Sequence, residues 1–322
     1  MRAAQVEFTK GLHEVGDGVF AYLQPTGTWC YSNAGLITGD GTSLLVDTLM
    51  DLRMTRDMLD EMKPLTRTRP IDTLVNTHAN GDHCYGNELV PERAEIYATV
   101  AAAEEMQHVP PALLHALKHS DDDEVRAFAQ YAFGDFVLDD ITGRPPDRTF
   151  TDSLSLSVGG RSVEVADLGP AHTHSDSIVL VPHARIVFTG DLVFVEGTPI
   201  AWAGPIDNWL SACDRLCALD VDLVIPGHGP VTDKQGVRDI HDYFTHVRAE
   251  ATARQRAGMD SVEAAFDIDL GRFADWGDAE RIVVTVDTVY RDNDPTHPPA
   301  DPIEMFRLMG RYHRDRTAVH RG

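Results

Sequence analysis

Only four cysteines (Cys30, Cys84, Cys213 and Cys217) occur in 322 residues, and no two of them form a C-x-x-C pair. That is too few for a disulfide scaffold, so free thiols and a reducing compartment are expected. No run approaches the roughly 18 to 20 apolar residues that a membrane span needs, and the opening MRAAQVEFTKGLHEV lacks a basic-then-apolar leader. A cytoplasmic protein without a membrane partner is the expectation. Basic residues are scarce: 28 Lys and Arg stand against 51 Asp and Glu, a net charge of −23 that repels phosphate backbones. Nucleic acid is therefore excluded as a partner, and a small-molecule substrate is expected. Neither a glycine-rich phosphate loop nor a G-x-S-x-G elbow is present, which removes nucleotide binding and serine hydrolysis. At 43% hydrophobic and 25% charged residues, the composition is that of a folded globular chain.

Strands and turns fill the first 77 residues. Val19 to Leu23 alternates, and Asn33–Thr38 and Ser43–Thr48 flank a Gly39-Asp40-Gly41 turn as a hairpin. Asp51 to Met62 has helical spacing that Pro64 is expected to stop, and Ile71 to Asn76 reads as a short buried strand. Residues 99–135 look helical, broken at Pro110-Pro111, with the acids Asp121 to Glu124 suited to a second helix start. Further short strands are expected at 154–158, 163–168, 177–188 (two, joined at Pro182 to Arg185) and 221–225. From 234 onward the pattern is helical, with a Pro/Asp-rich break at 292–302 and a last helix from Pro302 to about Arg314.

The densest cluster of metal-capable side chains is Thr77-His78-Ala79-Asn80-Gly81-Asp82-His83, directly after the strand at 71–76. Imidazole and carboxylate hold zinc, iron or manganese where thiolate is absent, and ligands at i, i+4 and i+5 on a tight loop suit two metals better than one. Three more clusters also sit where apolar strands end: His172-Thr173-His174, Gly190-Asp191 and Gly227-His228-Gly229. Strand-end loops are where rigid scaffolds present functional groups. Taken singly, Asp191 reads as a turn residue and His228 as a loop histidine; the ordered set does not. His115 with His119, at i and i+4, reads as a solvated helix face, Cys213 with Cys217 as buried thiols, and Cys84 as packing.

In its order H-x-N-x-D-H, then His172, then Gly-Asp, then Gly-His, this chain resembles the metallo-β-lactamase superfamily over roughly residues 17–230. Asn33 to Ile37 followed by Leu44 to Thr48 is similar to the family's opening hairpin. The resemblance implies an α/β (α+β) αββα sandwich over residues 1–233, with a helical insertion at about 99–135 and a helical C-terminal region, 234–322, packed on the same domain. It implies that His78 and His172 hold a first metal, that Asp82, His83 and His228 hold a second, and that Asp191 bridges them. The cofactor would be one or two Zn2+ ions, with Fe or Mn as substitutes. Asn80 departs from the family's second His. Three outcomes stay open: its amide oxygen ligates, His174 substitutes, or the centre holds a single metal.

His174 is assigned to substrate contact, and Trp29, Tyr31 and Trp202 to a pocket mouth. The implied activity is hydrolysis of an ester, thioester, lactone or amide of a small metabolite by a metal-bound hydroxide oriented by Asp82. A mononuclear non-haem iron oxygenase using His78, His172 and Asp191 is the alternative, and a fold that has lost its chemistry is a third reading. With no export leader, a β-lactam substrate is not expected. The helical additions would either close a pocket or form a homodimer face, and substrate selectivity is expected to reside in them.

Overall fold

The computed structural model describes residue 3, residues 6–298 and residues 301–319. Parts of the opening stretch (Met1, Arg2, Ala4, Gln5) and of the 292–302 break (Pro299, Ala300) lie outside the described residues, as do 320–322.

Two sheets face each other. The first contains β1 (Gly11–Gly16), β2 (Val19–Leu23), β3 (Ala34–Thr38), β4 (Ser43–Val46), β5 (Ile71–Val75), β6 (Glu95–Thr99) and β7 (Arg148–Phe150), in that spatial order. In the second, β8 (Ser153–Val158), β9 (Arg161–Asp167), β10 (Ser177–Val181), β11 (Ile186–Phe188) and β12 (Leu223–Ile225) run 12-11-10-9-8. Side chains alternate across each strand. Val19, Ala21 and Leu23 therefore enter the layer between the sheets with Val163, Val165, Val179 and Phe188, while Tyr22 turns to the helices on the outer face. The expected αββα sandwich is the observed architecture.

The helices are α1 (Leu52–Thr66), α2 (Gly81–Cys84), α3 (Val100–Glu105), α4 (Pro111–Lys118), α5 (Asp123–Phe133), α6 (Ile206–Ala218), α7 (Lys234–Arg256), α8 (Ser261–Asp267), α9 (Ile282–Asn293) and α10 (Pro302–Val319). α1 starts where Asp51 accepts the Met54 N–H. It runs past Pro64, contrary to expectation. The proline falls in the last turn, where it removes one donor only, and the Arg67 N–H still closes on Lys63 O at 3.0 Å. The 99–135 segment is three helices rather than two, and the acidic patch supplies the cap of the third: Asp122 accepts from the N–H groups of Glu124 and Val125. Among the C-terminal helices, α7 lies on α6 through Trp209 and Phe244, with ring centroids 4.3 Å apart. α10 lies on α5, where Phe306 meets Phe128 and Phe133 at 5.8 Å each.

Strand direction positions the site. β4 and β5 are parallel, as are β11 and β12, and β9 is separated from β11 by one antiparallel strand, so it runs the same way as β11. The residues that follow β4, β5, β9, β11 and β12 therefore emerge at sheet ends rather than along the faces, which brings distant sequence positions together.

Candidate metal centre

Six of the expected side chains converge at that edge. His78, His172 and Asp191 form one trio, and Asp82, His83 and His228 a second; within each, the ligand-type atoms lie within 4.8 Å of one another, and all six residues are buried. Asp191 stands between the trios. Its Oδ2 is 3.3 Å from His172 Nε2 and 3.4 Å from His228 Nε2, and its Oδ1 is 3.1 Å from His83 Nε2. Asp82 Oδ2 is 3.2 Å from His228 Nε2.

Glycines make this closeness sterically tolerable. Gly190 has φ +50°, and a Cβ there would meet Thr77; a Cβ on Gly227 would lie 1.9 Å from Asp191 Oδ1. The Gly-Asp and Gly-His pairs noted in the sequence thus have a physical reason: the residue before each candidate ligand must have no side chain.

Hydrogen bonds at Nδ1 fix three of the four imidazoles, those of His78, His83 and His172, so that each turns its Nε2 inward. The His172 Nδ1–H donates to Ile200 O at 2.7 Å. His83 Nδ1–H donates to Asp47 Oδ2 at 2.9 Å, and the Thr77 hydroxyl donates to the same oxygen at 2.8 Å. With its proton so used, Thr77 Oγ1 accepts from His78 Nδ1–H at 3.0 Å. Asp47 also receives the Thr77 N–H, at 2.7 Å. One carboxylate therefore sets the tautomers of His78 and His83, the outer-shell arrangement that raises ligand basicity in metal sites. Asp47 itself has φ +62°, directly after β4. Asp47→Ala is expected to lower metal affinity about 10- to 100-fold with all six candidate ligands intact, as measured by chelator competition.

The chemistry of this donor set fits a cation. His78 Nε2, His83 Nε2 and Asp191 Oδ1 are buried and without hydrogen-bond partners, an arrangement that costs free energy unless something else satisfies them. Burial works against the charged form of every group here, yet the carboxylates Asp191, Asp82 and Asp47 hold His83 well above the usual imidazole range. Against the same penalty, Asp191 and Asp82 lift His228 to about 9. The neighbouring imidazoles in turn hold Asp82 down at about 2 and Asp191 well below its ordinary value. His78 and His172 are pushed down, chiefly by burial. The acids thus draw positive charge into a dry pocket, and the first trio keeps its imidazoles as neutral donors.

Asn80 reaches the same place: its Nδ2 lies 2.8 Å from His172 Nε2. Above the centre is a cavity of about 390 Å3 lined by Asn80, Asp82, His172, Asp191 and His228 together with Trp29 and Trp202. Two residues expected at the substrate do not line it. His174, with a side chain 72% exposed, turns outward to Glu105 Oε1 at 3.2 Å, because Asp176 gathers the Ala171 and Thr173 N–H groups and curls the loop so that positions 172 and 174 diverge. Tyr31 donates to Asp135 Oδ2 at 3.0 Å in a separate depression. Cys84 is buried, its thiol on Ala79 O.

Asp47, Phe194 and Arg281 were not singled out by sequence reasoning. Asp47 carried a usable signal, since it ends an apolar strand as the other clusters do. Phe194, stacked on His228 at 5.1 Å, and Arg281, far along the chain, carried none.

A sequence profile described as the metallo-beta-lactamase superfamily matches residues 27–228. The chain is 24% identical, over 76% of its length, to the alpha subunit of 2,4-dinitroanisole O-demethylase from Nocardioides sp. (strain JS1661), and 22% identical, over 61%, to a linear primary-alkylsulfatase from Pseudomonas sp. (strain ATCC 19151). It covers 63% and 41% of those relatives, less than two thirds of either. Among solved structures, a sec-alkylsulfatase from Pseudomonas sp. superposes with TM-score 0.67 at 19% identity, over 94% of this chain and 54% of that one. A metallo-beta-lactamase from Pontibacter korlensis gives 0.57 at 20%, over 74% and 99%. Among the described residues, no helix is long and apolar enough to cross a membrane.

Proposed function

Because the chain belongs to the metallo-β-lactamase superfamily, we propose that it is a metal-dependent hydrolase acting on an ester, thioester, lactone or amide. The observation that carries this reading is the pair of buried trios sharing Asp191. In it, His78, His172 and Asp191, with the Asn80 amide, hold one cation; Asp82, His83 and His228 hold the other. Zinc suits this nitrogen and oxygen donor set, and iron or manganese can substitute. A divalent cation supplies ionised water at neutral pH and polarises the oxygen of a scissile carbonyl.

The chain's own residues do the rest. Asp82, kept ionised by His83 and His228, accepts a hydrogen bond from the attacking water and aims it at the carbonyl carbon. Asp47 and Ile200 O keep the imidazoles from turning. Apolar walls around Phe194 and Trp29 limit bulk water. A single-iron oxygenase would leave Asp82, His83 and His228 close together with nothing to hold, so hydrolysis is the better reading. The proposal treats 1–233 as the metal-binding domain and 234–322 as a region that completes its cavity. It places the enzyme in the cytoplasm, in keeping with the free cysteines.

The test is a panel of activated esters, thioesters and lactones. Zinc-equilibrated protein should turn over at least one class and lose that turnover on chelation. Oxygen consumption with one iron per chain, and no hydrolysis, would replace this reading with the oxygenase.

A further inference from the structure

The cavity over the metal centre takes much of its apolar wall from the helical insertion and from α10, the latter beyond the stretch that matches the superfamily. α4 and the loop before it contribute Leu113, Leu114 and Val109 from the insertion, and α10 contributes Ile303 and Phe306. A hydrophilic substrate would strip its polar groups of water against these walls without replacing the lost hydrogen bonds. Apolar side chains also reach the rim. Leu113 is 44% exposed and Ile303 50%, and they are two of the few large hydrophobic side chains left in solvent among the described residues.

Three ionisable side chains line the cavity away from the metal centre: half-buried Glu105, exposed His108 and buried Arg281. Arg281, in the turn before α9, is 2% exposed and lines the cavity. Its Nη1 donates to Thr198 O at 3.1 Å, its Nη2 lies 3.1 Å from Asp278 Oδ2 as an ion pair, and its guanidinium lies 4.3 Å over the Trp29 ring. Its Nε–H has no partner. The guanidinium is thus held by Thr198 O, its charge matched by Asp278 and its face covered by Trp29, so that it closes the cavity wall as a packed, fixed group.

We propose that the substrate is an organic molecule with a medium-sized apolar body, an acyl or aryl group, buried between α4 and α10. This rests on the hydrolase reading only for where the reacting bond lies. It narrows the substrate from any small ester to an apolar one, and it makes the insertion and the C-terminal region the selectivity elements.

The test is binding of straight-chain carboxylates from acetate to octanoate, followed by quenching of tryptophan fluorescence or by calorimetry, on zinc-equilibrated and on chelator-treated protein. Each buried methylene should tighten binding by up to about fourfold, so octanoate should bind at least about a hundredfold tighter than acetate in both forms. Leu113→Glu and Ile303→Glu, at exposed positions that the fold tolerates, should weaken octanoate at least about tenfold and leave acetate unchanged. An affinity flat with chain length would overturn the apolar chamber even if the enzyme hydrolyses esters. A steep chain-length dependence in protein that hydrolyses nothing would leave the chamber standing and remove the hydrolase.

Discussion

Asp82→Ala is expected to lower turnover at least about a thousandfold while the far-ultraviolet circular dichroism spectrum stays that of the parent. The side chain is buried and its Oδ2 lies 3.2 Å from His228 Nε2 and 3.8 Å from His83 Nε2, so its loss takes away both a donor to the second cation and the acceptor that orients water. Polarisation and activation of this kind contribute several kcal/mol to the transition state, and each 1.4 kcal/mol is about a factor of ten in rate. The fold is spared for a definite reason. What the surrounding structure takes from residue 82 is its backbone carbonyl, which accepts from the Ser32 hydroxyl at 2.6 Å, and His83 stays anchored on Asp47. Metal content should fall at the second position and persist at the first. Retained turnover would refute the role given to Asp82.

The second large effect concerns the position where this chain departs from its superfamily. Asn80→His is expected to raise affinity at the first cation position about tenfold or more, because imidazole nitrogen is a better donor to zinc than an amide oxygen. The geometry allows it: the Asn80 side chain already reaches within 2.8 Å of His172 Nε2, and the cavity alongside gives the larger ring room. In the parent, occupancy titrations should resolve a tight and a weaker cation; in the variant the two should converge. Unchanged occupancy would mean that residue 80 faces the cavity without taking part in coordination.

The candidate ligands were legible in the sequence because each follows a short apolar strand, and strands that share a direction deliver their ends to one edge. His172 and Asp191 are linked by β10 and β11, and glycine precedes Asp191 and His228 because a Cβ there would collide with Thr77 or Asp191. What sequence left hidden depended on tertiary packing. Pro64 reads as a helix stop, yet in a terminal turn it costs a single hydrogen bond. His174 reads as a partner of His172 until the Asp176 hydrogen bonds curl the loop and send its ring outward. Tyr31 belongs to an aromatic run with Trp29, but only Trp29 turns to the cavity, where its indole N–H donates to Glu280 at 2.8 Å. Arg281 sits in a helical region whose periodicity reports packing alone, and only the folded chain brings it to the metal side.

Diffraction data collected at the zinc absorption edge, from crystals grown after equilibration with zinc, address the central claim most directly. Two anomalous peaks are expected, one among His78, His172 and Asp191 and one among Asp82, His83 and His228, each about 2.0 to 2.2 Å from its nitrogen and oxygen donors. Density for neither ion, with those six side chains satisfied by one another or by water alone, would contradict the account.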